Sequence, residues 1–134
     1  MKQVIDIGCR NNSPVGEYIK EYFPDWDKFN VTKLDIDKRV KPDILHDITK
    51  PFPEKMKGQY DLVFMSHVLE HISWVIAMAV FKSVSELVKP DGYFLLLVPS
   101  VEWACKEVLR GNFNIGTMTT FYGSQEDEYE YHKS

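Results

Sequence analysis

A chain of 134 residues has room for one hydrophobic core, so a second, separate substrate-binding domain is not expected. Apolar residues make up 44% of it and charged residues 27%, with seven Gly and seven Pro, an ordinary globular composition that excludes wholesale disorder. The formal net charge is -4, and no Lys/Arg run is long enough to follow a phosphate backbone, so nucleic acid is not a favoured partner.

The most apolar long stretch, residues 73–88, carries Lys82 and Glu86 and falls short of the roughly 20 apolar residues that a membrane span needs. The sequence opens Met-Lys-Gln and enters a strand-like run by Val4, which leaves no secretory h-region or transit peptide and makes a cytoplasmic location the default expectation. Cys9 and Cys105 show no C-x-x-C spacing, so neither a disulfide framework nor a cysteine zinc site is indicated and both read as free thiols.

In chain order, residues 3–7 form a short apolar run closing on Gly8, a buried strand. Ser13 and Pro14 mark a helix start, and Val15, Tyr18, Ile19 and Tyr22 recur at helical spacing. Residues 24–30 break that helix, and residues 31–36 predict a second strand closing on Asp35 and Asp37. Residues 43–46 predict a short third strand between Pro42 and the Pro51/Pro53 turn, and residues 59–66 a fourth. The fourth strand leads into a long helix with Ala77, Val80, Phe81, Val84, Leu87 and Val88 on one stripe. Pro90, Asp91 and Gly92 read as a turn ending that helix, residues 93–98 as a strand buried on both faces, and residues 101–109 as a further helix. Residues 111–134 lack clear periodicity and hold an acidic run over residues 126–130; loop, a frayed tail or a short edge strand near residues 129–131 is expected there.

Strands alternating with helices define an α/β fold of three layers, with a mostly parallel sheet of about five strands and right-handed crossovers. Ligands of such sheets bind at the carboxyl ends of the strands, and four segments at those ends carry residues suited to the task. The first is Val4-Ile5-Asp6-Ile7-Gly8-Cys9-Arg10-Asn11-Asn12, in which Gly8 allows close approach and positive φ. The second, Val31-Thr32-Lys33-Leu34-Asp35, ends in an acid. The third is His46-Asp47-Ile48-Thr49-Lys50-Pro51-Phe52-Pro53, and the fourth runs from Tyr60 through Ser66-His67-Val68-Leu69-Glu70-His71-Ile72.

In order and spacing, together with Leu87-Val88-Lys89-Pro90-Asp91-Gly92, these segments resemble the S-adenosylmethionine-binding core of the class I, Rossmann-like methyltransferases over residues 4–99. The resemblance implies S-adenosylmethionine as cofactor, S-adenosylhomocysteine as product and one methyltransferase-like domain over residues 1–134. It places Asp6, Gly8 and Cys9 at the D-x-G-x-G-x-G turn, with Arg10 and Asn12 standing where the family has further glycines. The two Asn residues of that loop tolerate positive φ better than most side chains. It also implies Asp35 and Ile36 at the ribose, Asp47 and Ile48 at the adenine, and Ser66 and His67 beside the cofactor. A solvated turn acid remains the alternative for Asp35 and an Asx-type turn for Asp47.

His67, Glu70 and His71 are the candidates for a catalytic role, against capping or packing for His71 and backbone contacts for His67. The same residues satisfy the H-x-x-E-H pattern of a zinc site, but no downstream motif offers a third ligand, so no metal is expected. Trp74 and Trp103 line a substrate cleft or belong to core and rim. A nicotinamide-binding turn would need a second glycine soon after Gly8, and the next is Gly16.

The sequence starts at the first strand, without the family's preceding helix, and the usual hairpin of sixth and seventh strands looks absent or reduced. An open pocket and a bare sheet edge are then expected, one or the other covered by a partner subunit such as a second copy of the chain in a homodimer. The function implied is methyl transfer to a small-molecule or sugar-type acceptor, or, as the alternative, an inactive relative that binds the cofactor or a partner protein.

Overall fold

The computed structural model of the chain describes residues 1–126 together with 129 and 132. Side-chain alternation along two strands decides the layering. In β1 (Lys2–Ile7), Val4 points to one side and Ile5 and Ile7 to the other; in β4 (Tyr60–Ser66), Leu62 and Phe64 point to the first side and Val63 and Met65 to the second. Both faces are therefore apolar, and each needs cover.

One face receives α1 (Val15–Tyr22), whose Val15 and Ile19 lie one helical turn apart and pack on Val4, Leu62 and Phe64. The other receives Val80 and Val84 of α2 (Trp74–Ser85), which join Ile5, Ile7, Val63 and Met65. The predicted three-layer α/β sandwich is what forms. Burying these aliphatic and aromatic side chains stabilises the fold by about 1.5–3 kcal/mol for each one fully removed from water.

Among the described residues the sheet has five strands, all parallel, in the order β3-β2-β1-β4-β5, with β2 at Phe29–Asp35, β3 at Ile44–Leu45 and β5 at Val88–Leu97. Pairing runs outward from β1 in both directions, with Val4 opposite both Val31 and Leu62. The chain therefore reverses its direction of travel across the sheet between β1 and β4, which opens a crevice at their carboxyl ends.

Several sequence expectations are corrected. Residues 90–92 do not separate a helix from a strand: they are an irregularity inside β5, since Tyr60 pairs with Val88 and Leu62 with Tyr93. Pro90 cannot donate to the ladder there. A Cβ on Gly92 would lie 3.0 Å from the main-chain oxygens of Tyr60 and Asp61, so the close approach of strands requires glycine. Asp61 fastens this region, accepting from the Gln3 N–H at 2.8 Å and from Lys89 Nζ at 2.8 Å. Burial pushes its carboxyl upward, but these bonds outweigh it and hold the group at about 2.

β5 is also not buried on both faces, since it forms one edge of the sheet and leaves Tyr93 exposed. The expected long helix begins only at Trp74, after a short 3-10 helix over Leu69–His71, and Val88 belongs to the strand. α3 (Val101–Leu109) has the predicted bounds, capped by Ser100 Oγ accepting from the Trp103 N–H at 3.1 Å, but of its expected apolar face only Ala104 is buried.

Residues 111–126 are not all loop. α4 (Ile115–Tyr122) forms behind a reciprocal cap in which Asn114 Oδ1 accepts from the Gly116 and Thr117 N–H groups and Thr117 Oγ1 accepts from the Asn114 N–H. It packs on α3. The expected edge strand near residues 129–131 falls on residues of which only Tyr129 is described, and most of the acidic run lies outside the described residues as well.

Candidate functional site

The turn after β1 is sewn to the end of β2. The Gly8 N–H donates to Leu34 O at 2.8 Å, and Asp35 Oδ2 accepts from the Arg10 N–H at 3.0 Å while Oδ1 accepts from the Asp37 N–H at 2.9 Å. Asp35 is thus no loosely solvated turn acid: it is buried, its two oxygens order both loops, Oδ2 also accepts from the weak Cys9 thiol donor at 3.9 Å, and Oδ1 keeps a lone pair for a further donor. Gly8 sits at φ 72°, and a Cβ there would meet Val68 Cγ2 at 2.2 Å. The glycine is demanded by the protein's own packing as well as by its backbone angle. Arg10, in the place of a second glycine, also has positive φ, at 45°. Asn11 and Asn12, the residues of this loop expected to tolerate positive φ, do not use it.

Beside this corner opens a cavity of about 880 Å³ at the carboxyl ends of the strands. Its walls bring together Gly8, Asp35, Ile36, Asp47, Ile48, Ser66 and His67 of the residues singled out from the sequence, along with Glu70 and His71. Asp6 and Cys9 are not in this wall. They line an adjoining recess of about 420 Å³ that shares Gly8, Arg10, Ser66 and His67 with it, the turn after β1 dividing the two. Asp6 is almost fully buried with Oδ2 unpartnered, and burial raises its carboxyl to about 6, a bond from Ser13 offsetting part of the effect. Burial, with the neighbouring Asp35 and Asp6 charges, likewise pushes the Cys9 thiol up to about 11, so it is no ready nucleophile.

Asp47 Oδ1 accepts from the Thr49 N–H at 2.9 Å and from Thr49 Oγ1 at 2.7 Å, which lowers its carboxyl and makes the Asx-type turn real. It faces the cavity all the same. His67 adopts φ 55°, donates its N–H to Leu97 O at 2.9 Å and sets Nδ1 2.9 Å from Ser66 Oγ. Residues 67–71 are therefore not one turn of α-helix, and His67 and His71 do not stack as the zinc motif would need.

Three features of the site leave no local pattern in the sequence. Thr119, Thr120 and Gly123 of the α4 region, with Tyr129 and His132, complete the cavity wall, so the pocket expected to lie open is partly covered by this chain. His132 is held by its N–H on Tyr122 O at 3.2 Å, and its ring stands edge-on to that of His71 with centroids 5.0 Å apart. Glu70 keeps both carboxylate oxygens out of solvent with no hydrogen-bond partner, and this burial raises its carboxyl to about 7. Its own main-chain N–H, near but outside hydrogen-bonding geometry, offsets only part of that. Trp74 and Trp103 face solvent and line neither recess.

A five-stranded parallel sheet in this order, with a tight glycine turn and a buried acid on one crevice, is the Rossmann-like fold of class I methyltransferases. The methyltransferase domain family model matches residues 1–128, and the chain belongs to that family. Among solved structures, PH0226 from Pyrococcus horikoshii OT3 is 20% identical over 79% of this chain and 54% of that one, with a TM-score of 0.55. The trans-methyltransferase CalH, in complex with SAH, is 21% identical over 71% of this chain and 31% of its own, with a TM-score of 0.52. DhpI, in its SAM-HEP complex, is 17% identical over 84% and 54%, with a TM-score of 0.57. The chain spans about a third to a half of the length of these structures. No curated protein sequence matches it significantly.

Proposed function

We propose that the chain, as one domain over residues 1–134, is an S-adenosylmethionine-dependent methyltransferase acting on a small-molecule or sugar-type acceptor, with S-adenosylhomocysteine as its product. The observation that carries this reading is the meeting of Gly8 and Asp35 in one crevice large enough for a nucleoside-sized ligand. When bound, the cofactor supplies an activated methyl group on sulfonium. Asp35 is suited to the two hydroxyls of a ribose, because Oδ1 can take one charge-assisted bond and a hydroxyl can displace the weak thiol donor at Oδ2 for the other. Ile36 and Ile48 offer apolar surface to an adenine, Asp47 an acceptor for its amino group, and Ser66 and His67 line the opposite wall. Asp6 and Cys9 act from behind the turn, holding its shape.

Displacement at carbon gains most from alignment and from exclusion of water, so Glu70 and His71 serve first by placing an acceptor. With a carboxyl near neutrality, Glu70 can also take a proton from an acceptor hydroxyl or amine at physiological pH. The second reading, a domain that binds the cofactor without transferring from it, is favoured by Arg10 and Asn12 in place of glycines.

Calorimetry with S-adenosylmethionine and S-adenosylhomocysteine tests binding, and release of the demethylated product with candidate acceptors separates an enzyme from a binder. Asp35→Ala, compared where circular dichroism shows both proteins folded, is expected to weaken cofactor binding by roughly tenfold or more, the worth of a charge-assisted bond. Unchanged affinity would remove the ribose assignment.

We further propose a cytoplasmic homodimer. Both cysteines are free thiols, and no helix among the described residues is long and apolar enough to cross a membrane. β5 presents an edge of the sheet, and Trp74, Val75 and Met78 at the start of α2 lie exposed.

A further inference from the structure

Folding supplies what the H-x-x-E-H pattern lacked in the sequence. Glu70, His71 and His132 each bring one ligand atom to a common point, all within 4.8 Å of one another, although His132 lies 61 residues beyond His71. We propose that these three side chains form a divalent-cation site in the cavity wall, selective for zinc or a similar borderline ion over magnesium.

The donor set favours such ions. Two imidazole nitrogens and one carboxylate oxygen match the three protein ligands of an open zinc site, whereas magnesium seeks oxygen alone. Bonds of about 2.0–2.2 Å place tetrahedral ligand atoms about 3.4 Å apart, so side chains whose ligand atoms lie within 4.8 Å of one another need close by at most about 1.4 Å. A second, independent observation points the same way: both Glu70 oxygens are buried with no hydrogen-bond partner, which is costly unless something fills the position. The site opens on the cavity through the same residues, leaving the fourth position to water or to an oxygen of the acceptor. His67, the other histidine of the motif, is not among the residues whose ligand atoms converge; its Nδ1 lies 2.9 Å from Ser66 Oγ.

The inference stands apart from the cofactor reading, because the test uses the protein without cofactor. The chain stripped with chelator is dialysed against zinc alone or cobalt alone, and bound metal is measured with the cobalt visible spectrum. Stoichiometric uptake and a tetrahedral cobalt spectrum are expected for the native chain and for His67→Ala. Glu70→Gln, His71→Ala and His132→Ala should each lose affinity by roughly 100-fold or more, beyond the loss seen when only outer partners are removed. His132→Ala is decisive because its side chain follows the last helix of the described residues, outside the sheet core. Zinc should raise the melting temperature of the native chain and leave that of His132→Ala unmoved. Failure of the native chain to take up either ion, or equal uptake by His132→Ala, overturns the site, as does loss of uptake in His67→Ala with retention in His132→Ala.

Discussion

Replacing Gly8 by Ala tests whether the turn after β1 is set by packing or merely by convention. At φ 72° an L-residue costs about 1–2 kcal/mol. The new methyl would lie 2.2 Å from Val68 Cγ2, far inside contact distance, and forcing it in adds about 1–3 kcal/mol of overpacking. The sum is about 2–5 kcal/mol, a large share of a typical domain's stability. Denaturant unfolding measures it. The double variant Gly8→Ala/Val68→Ala separates the two parts, because truncating Val68 relieves the overlap and leaves the backbone strain in place. The double variant should therefore be more stable than the sum of the two single losses by about 1–3 kcal/mol. If Gly8→Ala unfolds at the native midpoint, or if the two losses simply add, the packing argument fails.

Asp6 has a folded carboxyl at about 6, above its ordinary value near 3.8, so its protonated form is the one the fold prefers. Its contribution is fully present below about pH 4 and is lost as pH rises through about 6. Asp6→Asn should flatten the stability profile across that window and melt higher than the native chain at pH 7; an unchanged profile would show that burial is not the cause. For the proposed dimer, light scattering at micromolar concentration should return twice the chain mass, and Met78→Glu should halve it. A monomeric native chain refutes the assembly.

Periodicity made α1 legible because it buries one face against the sheet, and β1 and β4 were legible as short apolar runs because both of their faces are covered. Residues 90–92 misled for a physical reason. Proline and glycine punctuate a turn and an irregular strand alike, and only the partner strand, in which Tyr60 and Leu62 pair across the gap, distinguishes them. α4 left little periodicity because Thr117 is its buried residue while Ile115 and Tyr122 are exposed. Its trace in the sequence was the cap, Asn114 with Thr117 three residues on, an uncommon form of the S/T-x-x-E signature. Of the site, Gly8, Asp35 and the Ser66 to His71 stretch were legible as local motifs. His132 was not, since nothing local marks a histidine that the fold returns to Glu70.

The bonds that join the first turn to the end of β2 have an energetic consequence for whatever enters there. With Gly8 and Arg10 already tethered through Leu34 and Asp35, an incoming molecule meets a corner frozen in advance and forfeits little chain entropy on arrival. The thermodynamic signature of association at this corner should then resemble that of a rigid mould, with little of the heat-capacity change that accompanies a loop folding around its guest.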